Sequence, residues 1–506
     1  ARMVISLPRA CRDMLGGALR GYNGGEVVGR TTESWSGRLA FILASIGAAV
    51  GLGNIWKFPY TLGNSGGSAF VLIYVLAMLL IATPIMLSEM IIGRHARMSA
   101  PSALRTVAVE NGSSPWWQAV GWMGQLVQLL VLSFYSVIAG WTMAYLVKSV
   151  SGGLHGLTPA EIGRDFDAFL HDPAWMVLWH FLFTAATVFI VSRGVRVGLE
   201  RVVRILMPGL FVMLVGLAVY AAVNFEFGRA AEFLFKPDLS KITPAVVLAA
   251  VGQAFFSVNV GVGAVLTYTA YLPRDVNLVE SAVAVALGDT LIALLAGLAI
   301  FPVVFTYNLD PSEGPGLIFV TLSTAFAAMP GGSVISAAFF LMLLFAALTS
   351  SISMLETTTA RASEIRGLSR PRAATMIGAS TFLLGLVTVL SFSRWEFVFP
   401  LGDIAVFAGK TPFDLIDYLV SNILMPLGGM LYALFAGWWV SRKTLVHELD
   451  IGDGALFRLW LLLARVVAPL AVAAVRALGR SPDGPELSSL ARLSGSGSAA
   501  RSVYGG

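Results

Sequence analysis

Arg38-Leu-Ala-Phe-Ile-Leu-Ala-Ser-Ile-Gly-Ala-Ala-Val-Gly-Leu-Gly-Asn-Ile-Trp-Lys-Phe-Pro-Tyr60 is apolar for most of its length, yet carries Gly47, Gly51 and Gly53 around its middle, then Asn54 and Lys57. A second stretch, Gly252-Gln-Ala-Phe-Phe-Ser-Val-Asn-Val-Gly-Val-Gly-Ala264, repeats the design five apolar segments later. In hydrocarbon an unwound backbone is tolerated only where protein or a water-filled cavity covers it, because bare amides and carbonyls there are costly. Two matched interruptions therefore predict an internal site. Half-helix N-termini would offer N–H groups to an anion and half-helix C-termini carbonyls to a cation. Taken singly, each Gly-x-Gly also fits a close-packing surface between membrane helices. The pairing of the two, each with an amide side chain nearby, favours the site.

The surrounding composition supports a bilayer setting. Of 506 residues, 57% are hydrophobic and 12% charged, against roughly 25% charged in soluble domains. Apolar runs recur at about 38–62, 68–93, 118–148, 174–192, 199–223, 244–270, 277–306, 333–360, 372–393, 414–441 and 455–478, each near the roughly 20 residues a helix needs to cross. The predicted fold class is an all-α polytopic membrane protein of about eleven transmembrane helices. The single cysteine, Cys11, cannot form an internal disulfide, and the five histidines show no metal-ligand spacing. A net charge of +5 would point a soluble protein towards nucleic acid; here the arginines lie between apolar runs, where orientation in the membrane accounts for them, and no nucleic-acid partner is expected.

With a cytoplasmic N-terminus, Arg94, Arg97, Arg105, Arg193, Arg196, Arg201, Arg204, Arg361, Arg366, Arg370, Arg372, Arg442, Lys443 and Arg458 fall on the inner side. The outer loop around Glu161–Asp172 is net acidic, in keeping with the positive-inside bias. Residues 1–34 read as a cytoplasmic extension without the apolar core of a signal peptide. Residues 35–441 are expected to form a ten-helix core, 442–480 an accessory eleventh helix, and 481–506 a Ser/Gly-rich tail that is disordered and outside the cytoplasm. The implied location is the cell (inner) membrane.

Ordered marks across about 35–478 resemble the neurotransmitter:sodium symporter family, especially its bacterial amino-acid members with the leucine-transporter fold. They are Gly47–Tyr60, Asn64-Ser-Gly-Gly-Ser-Ala-Phe70, Glu89 with Gly93-Arg94, Ser133-Phe-Tyr-Ser136 with Gly140-Trp141, Gly198-Leu-Glu-Arg201 with Met207-Pro208, Gln253–Ser257, Gly314–Phe319 and Leu348-Thr-Ser-Ser351. The resemblance implies two inverted five-helix repeats with helices 1 and 6 unwound, the two interruptions lying at corresponding positions of the halves. One sodium ion (Na2) would be held by carbonyls of Gly47, Val50 and Ala346 and the hydroxyls of Thr349 and Ser350. The Thr-Ser-Ser hydroxyls have a plainer reading too, as bonds to the preceding helical turn. A second ion (Na1) would take the Ala49 carbonyl, Asn54, Ser257 and the substrate's carboxylate, with Asp289 beside it. Ion and substrate would thus each supply contacts the other lacks.

The resemblance also implies a substrate site. The carboxylate would meet the N–H groups of Leu52 and Gly53 and the Tyr135 hydroxyl; carbonyls of Ala49, Phe256 and Ser257 would take the amino group. Val131, Phe256, Asn259, Val262, Ser350 and Met354 would line the side-chain pocket. Gly51 stands where monoamine carriers place an aspartate, which suits a substrate bringing its own carboxylate. Asp289 lies inside the seventh span, and intramembrane carboxylates cost about 2.5–3.5 kcal/mol on the mildest scale. It is expected to replace the chloride that some relatives require, since Ala293 stands where their cluster has a serine; a packing role bonded to nearby backbone is the plainer alternative. Lys57 with Asp417 resembles an outer gate, although both also fit solvated loop charges. Tyr271 with Glu356 resembles an inner gate, with Trp35 and Glu364 nearby. The family's arginine three residues before the tryptophan is here Thr32. Glu89 is expected to bond to the unwound sixth span.

The implied function is sodium-coupled symport of a neutral, hydrophobic amino acid by alternating access, with transported Na⁺, no chloride, the lipid bilayer as setting and no enzyme chemistry. A carrier of taurine, GABA or a similar osmolyte is the alternative within transport; an ion channel, a membrane enzyme and a transport-inactive sensor are the rivals outside it. Oligomeric state is not legible.

Overall fold

The computed structural model describes residues 33–308, 316–404 and 407–478, and among these there is no strand. In chain order the main helices are α1 (Arg38–Ala49), α2 (Gly53–Asn64), α3 (Ser68–Ala96), α4 (Ala100–Glu110), α5 (Pro115–Val150), α6 (Pro159–Leu170), α7 (Pro173–Ser192), α8 (Val195–Asn224), α9 (Phe227–Phe235), α10 (Pro244–Ser257), α11 (Ala264–Ala270), α12 (Leu278–Thr306), α13 (Leu317–Ala328), α14 (Gly332–Arg366), α15 (Arg370–Ser391), α16 (Pro412–Trp439), α17 (Arg442–Leu449) and α18 (Ala455–Ala474). Nine of the described helices are long and apolar enough to cross a membrane, ten when α1 and α2 count as one. The sixth expected span is divided into α10 and α11, of 14 and 7 residues. Every apolar run read from the sequence has its helix. The expected extension before residue 33 and the tail beyond residue 478 lie outside the described residues.

Both interruptions are real breaks. The α1 axis meets α2 at 54°, because Val50 leaves helical geometry at φ −72°, ψ 105°. After Ser257 the chain turns through Asn259, Gly261 and Gly263 at φ 50°, 89° and 76° before α11 begins. A Cβ on Gly261 would run into the Gly429 nitrogen and the Met425 carbonyl oxygen, and one on Gly428 would overlap the Gly261 oxygen. Glycine is thus required there by close backbone approach as well as by φ. The freed amides of the second break find a buried acceptor, as expected: Gly261 N–H donates to Glu89 Oε1 at 2.5 Å and Leu266 N–H to Oε2 at 3.4 Å.

The two longest helices, α5 and α14, pack along one another and face the breaks, while α12 lies against α1, α3 and α8. Short helices α4, α6, α9, α13 and α17 occupy connections that the apolar runs leave without a helix. Local caps account for some of them: Thr158 and Glu161 close a reciprocal capping box at the start of α6. At the foot of α3, Arg94 Nε donates to Glu448 Oε2 at 2.8 Å and Nη1 to the Val276 carbonyl at 2.6 Å. A buried guanidinium therefore fastens α3 to α17 and to the turn before α12.

Candidate functional site

The breaks bring the expected site residues to one place. Leu52 N–H donates to the Tyr135 hydroxyl at 3.1 Å, so two groups expected to receive a carboxylate already face each other. A Cβ on Gly51 would lie 2.7 Å from Ser350 Oγ and 2.8 Å from Tyr135 Oη; any side chain there would displace both. One on Gly53 would lie 2.7 Å from Phe256 Cε1, so the Phe256 ring rests on the first break. Val131 stands one turn before Tyr135 on α5, and Met354 one turn after Ser350 on α14. Val131, Asn259, Val262, Ser350 and Met354 are all buried, and Gly124 of α5 lies directly against Val262.

The oxygens expected around one cation are also together. Ser350 Oγ donates to the carbonyls of Val50 and Gly47 at 3.1 and 3.3 Å, and Thr349 Oγ1 to that of Ala346 at 3.0 Å. Thr349 Oγ1 also lies 3.1 Å from the Phe345 oxygen, the back-bonding expected of a hydroxyl in a membrane helix. Five oxygens and no nitrogen, drawn from the first break and α14, make a donor set suited to a hard cation.

Asp289 is fully buried and its carboxylate collects three donors. Asn54 Nδ2 reaches Oδ1 at 2.8 Å, while Ser257 Oγ and the Tyr74 hydroxyl reach Oδ2 at 2.5 and 3.2 Å. Asn54 Oδ1 in turn accepts from Gly51 N–H at 3.3 Å, and Gln253 Nε2 donates to the Gly53 carbonyl at 3.3 Å. The acid therefore ties both breaks to α12. Among the described residues Asp289 is in no ion pair within 4.0 Å, so its charge has hydrogen bonds but no cationic partner. Buried charges are normally paired or coordinate a metal ion.

Of the two expected gate pairs, the inner one meets and the outer one does not form an ion pair. Lys57 forms no ion pair with Asp417 among the described residues. Its Nζ stands 3.8 Å from the centre of the Phe256 ring, and Asp417 instead accepts from Ser421 Oγ at 2.9 Å. A lysine is a compact point charge without the fork that makes bidentate carboxylate contacts, and an aromatic face competes for it. At the other end Tyr271 and Glu356 do meet, hydroxyl to Oε1 at 2.7 Å. Arg370 Nη2 donates to the other Glu356 oxygen and Nη1 lies 3.4 Å from Glu33 Oε1. Trp35 Nε1 donates to the Tyr268 carbonyl at 2.8 Å. Glu364 is engaged elsewhere: it accepts from Ser99 N–H at 2.8 Å and pairs with Arg361 at 3.0 Å. In the sequence Arg370 is only one of the inner positive charges; its role as partner of Glu356 depends on how α15 meets α14, which no local pattern shows. Thr32 lies outside the described residues.

Residues 32–157 and 168–402 match the family model described as the sodium:neurotransmitter symporter family. An uncharacterized sodium-dependent transporter, YhdH, of Bacillus subtilis (strain 168) is 38% identical over 441 residues, covering 87% of this chain and 95% of the relative. A more distant relative, the sodium-dependent nutrient amino acid transporter 1 of Drosophila erecta, is 27% identical over 72% of this chain and 66% of its own length. Among solved structures, that of MhsT in complex with L-phenylalanine superposes with a TM-score of 0.80 at 42% identity, covering 88% of this chain and 99% of that one.

Proposed function

The chain belongs to the sodium:neurotransmitter symporter family and is a sodium-dependent transporter, and from that premise we propose that it couples inward sodium movement to uptake of a neutral amino acid with a large hydrophobic side chain. The observation that carries this reading is the buried Asp289 carboxylate. It has three hydrogen bonds and no cationic partner among the described residues, and it is joined through Asn54 and Ser257 to both breaks. A buried acid in that state lacks a cation. Na⁺ beside Asn54, the Ala49 carbonyl, Ser257 and the substrate carboxylate would supply it, and the carboxylate would then meet Leu52 N–H, Gly53 N–H and Tyr135. The second ion would take the Gly47, Val50 and Ala346 carbonyls with Thr349 and Ser350.

In this mechanism ion and amino acid stabilise each other, so each raises the affinity for the other by the same factor. Phe256 covers the occupied site from the Lys57 side, and Tyr271, Glu356 and Arg370 close the opposite end. Asp289 supplies the negative charge beside the ions, so chloride has no part. The arginine-rich turns face the cytoplasm and the ten helices within 35–441 form the moving core, with 442–480 accessory to it. The apolar lining from Val131, Val262 and Met354, and the L-phenylalanine bound by MhsT, support a bulky apolar substrate.

The test is uptake of labelled neutral amino acids by proteoliposomes holding the purified full chain. An inward Na⁺ gradient is expected to raise uptake of at least one large apolar amino acid at least tenfold over a K⁺ control. Absence of sodium-dependent uptake across such a panel overturns the proposal, and uptake of taurine or GABA alone overturns the substrate class.

A further inference from the structure

Between α15 and α16 the chain runs Arg394-Trp-Glu-Phe-Val-Phe-Pro-Leu-Gly-Asp-Ile404. Phe397 is 78% exposed, and Trp395, Val398, Phe399, Leu401 and Ile404 are between 37% and 49% exposed. A water-facing connection does not carry six large apolar side chains outward in ten residues; a contiguous apolar patch of this kind marks a partner or a membrane.

Three observations choose between them. The patch begins where α15, an apolar helix long enough to cross, ends. It lies beside the turn between α6 and α7, where His171 Nε2 meets Glu396 Oε2 at 3.1 Å. The neighbouring surfaces of α7 and α15 expose Trp175, Phe181 and Leu383 at 53%, 53% and 63%, so the patch continues a lipid-facing band. The backbone is also ready to leave water: Val398 N–H donates to the Trp395 carbonyl, Gly402 N–H to that of Phe399 and Ile404 N–H to that of Leu401, each at 3.0 Å. These tight turns satisfy amides that apolar surroundings would otherwise leave bare.

We infer that the 394–404 connection lies in the bilayer interface, its six apolar side chains among the lipid headgroups and upper acyl chains, rather than in water. Arg394, Glu396 and Asp403 stay at headgroup level, and aromatic side chains are the ones most enriched at that depth. The connection leads within a few residues into Thr411, whose side chain caps α16, the helix that bears Asp417.

The lone cysteine makes the test direct. In the full chain carrying Cys11→Ser, nitroxide labels are placed at Phe397→Cys, at Leu401→Cys and, as a water-exposed reference at the same end, at Arg164→Cys on α6. The protein is reconstituted in phosphatidylcholine–phosphatidylglycerol vesicles, and collision rates with oxygen and with a water-soluble nickel chelate are measured. Labels at 397 and 401 are expected to collide several-fold more with oxygen than with the chelate, and the label at 164 to show the reverse. Chelate-dominated collisions at 397 and 401 overturn the inference. So does exclusion of both colliders with spin–spin broadening that grows with protein-to-lipid ratio, which assigns the patch to a second copy of the chain. Either labelled site alone gives the answer if the other variant does not fold.

Discussion

Replacing Asp289 with asparagine is expected to lower sodium-driven uptake in chloride-free buffer at least tenfold, equivalent to about 1.4 kcal/mol, while the native chain takes up substrate equally in chloride and in gluconate. The carboxylate is buried and accepts from Asn54, Ser257 and Tyr74. The amide in its place would present one oxygen and one NH₂ group, so either the NH₂ group faces Asn54 Nδ2 donor against donor or the Ser257 and Tyr74 hydroxyls must turn from donating to accepting. The larger loss is the charge. A buried site holding Na⁺ and a zwitterion needs an anion to balance the ions, and neutralising it leaves an uncompensated cation, which is the costly state in a low-dielectric interior. Tyr74, Gln253 and Ser257 match the other members of the chloride cluster that the family likeness implies, so added chloride is expected to restore part of the lost uptake. Asp289→Asn activity equal to native in the absence of chloride would refute the assignment.

Glu89→Gln should damage the fold as well as transport. Glu89 receives the Gly261 and Leu266 amides released by the second break, and it is fully buried. Hydrogen bonds to a charged acceptor contribute about 1.5–3 kcal/mol each and neutral ones about half that. Glutamine keeps one acceptor for Gly261 and turns an NH₂ group towards Leu266, so the net loss is expected to be about 2–3 kcal/mol. Thermal unfolding of the detergent-solubilised variant, followed by fluorescence-detected size exclusion, should show a clearly lower midpoint. A midpoint unchanged from native would mean that the break is held by its glycine packing against α16 rather than by the acid.

Much of this arrangement is legible in the residues, for reasons that can be separated. Gly51, Gly53, Gly261 and Gly263 sit in otherwise apolar runs, and a bilayer forbids uncovered breaks, so the two interruptions can be read locally. Asp289 stands out because an acid inside a span has few plain explanations. Tyr271 and Glu356 are paired only through the family likeness. What the residues conceal is partner choice. Arg370 joins Glu356 and Glu33 across three separate stretches of chain, and Glu364 turns to Ser99 and Arg361 instead. The short helices between spans escape a reading by apolar runs because amphipathic segments of about ten residues have no bilayer-scale signature. The family likeness pairs Lys57 with Asp417, whereas the ammonium rests 3.8 Å from the centre of the Phe256 ring.

That last contact has an outcome for how a zwitterion arrives. On the proposed reading, in which the Phe256 ring covers the site, moving that ring aside would part it from the Lys57 ammonium 3.8 Å away and expose a positive centre at the entrance. An incoming amino acid would then be drawn by its carboxylate, which would lead towards the Leu52 and Gly53 amides. Association should therefore slow as ionic strength rises, and a Lys57→Met carrier should lose that salt dependence; an unchanged salt profile in the variant would remove Lys57 from the approach.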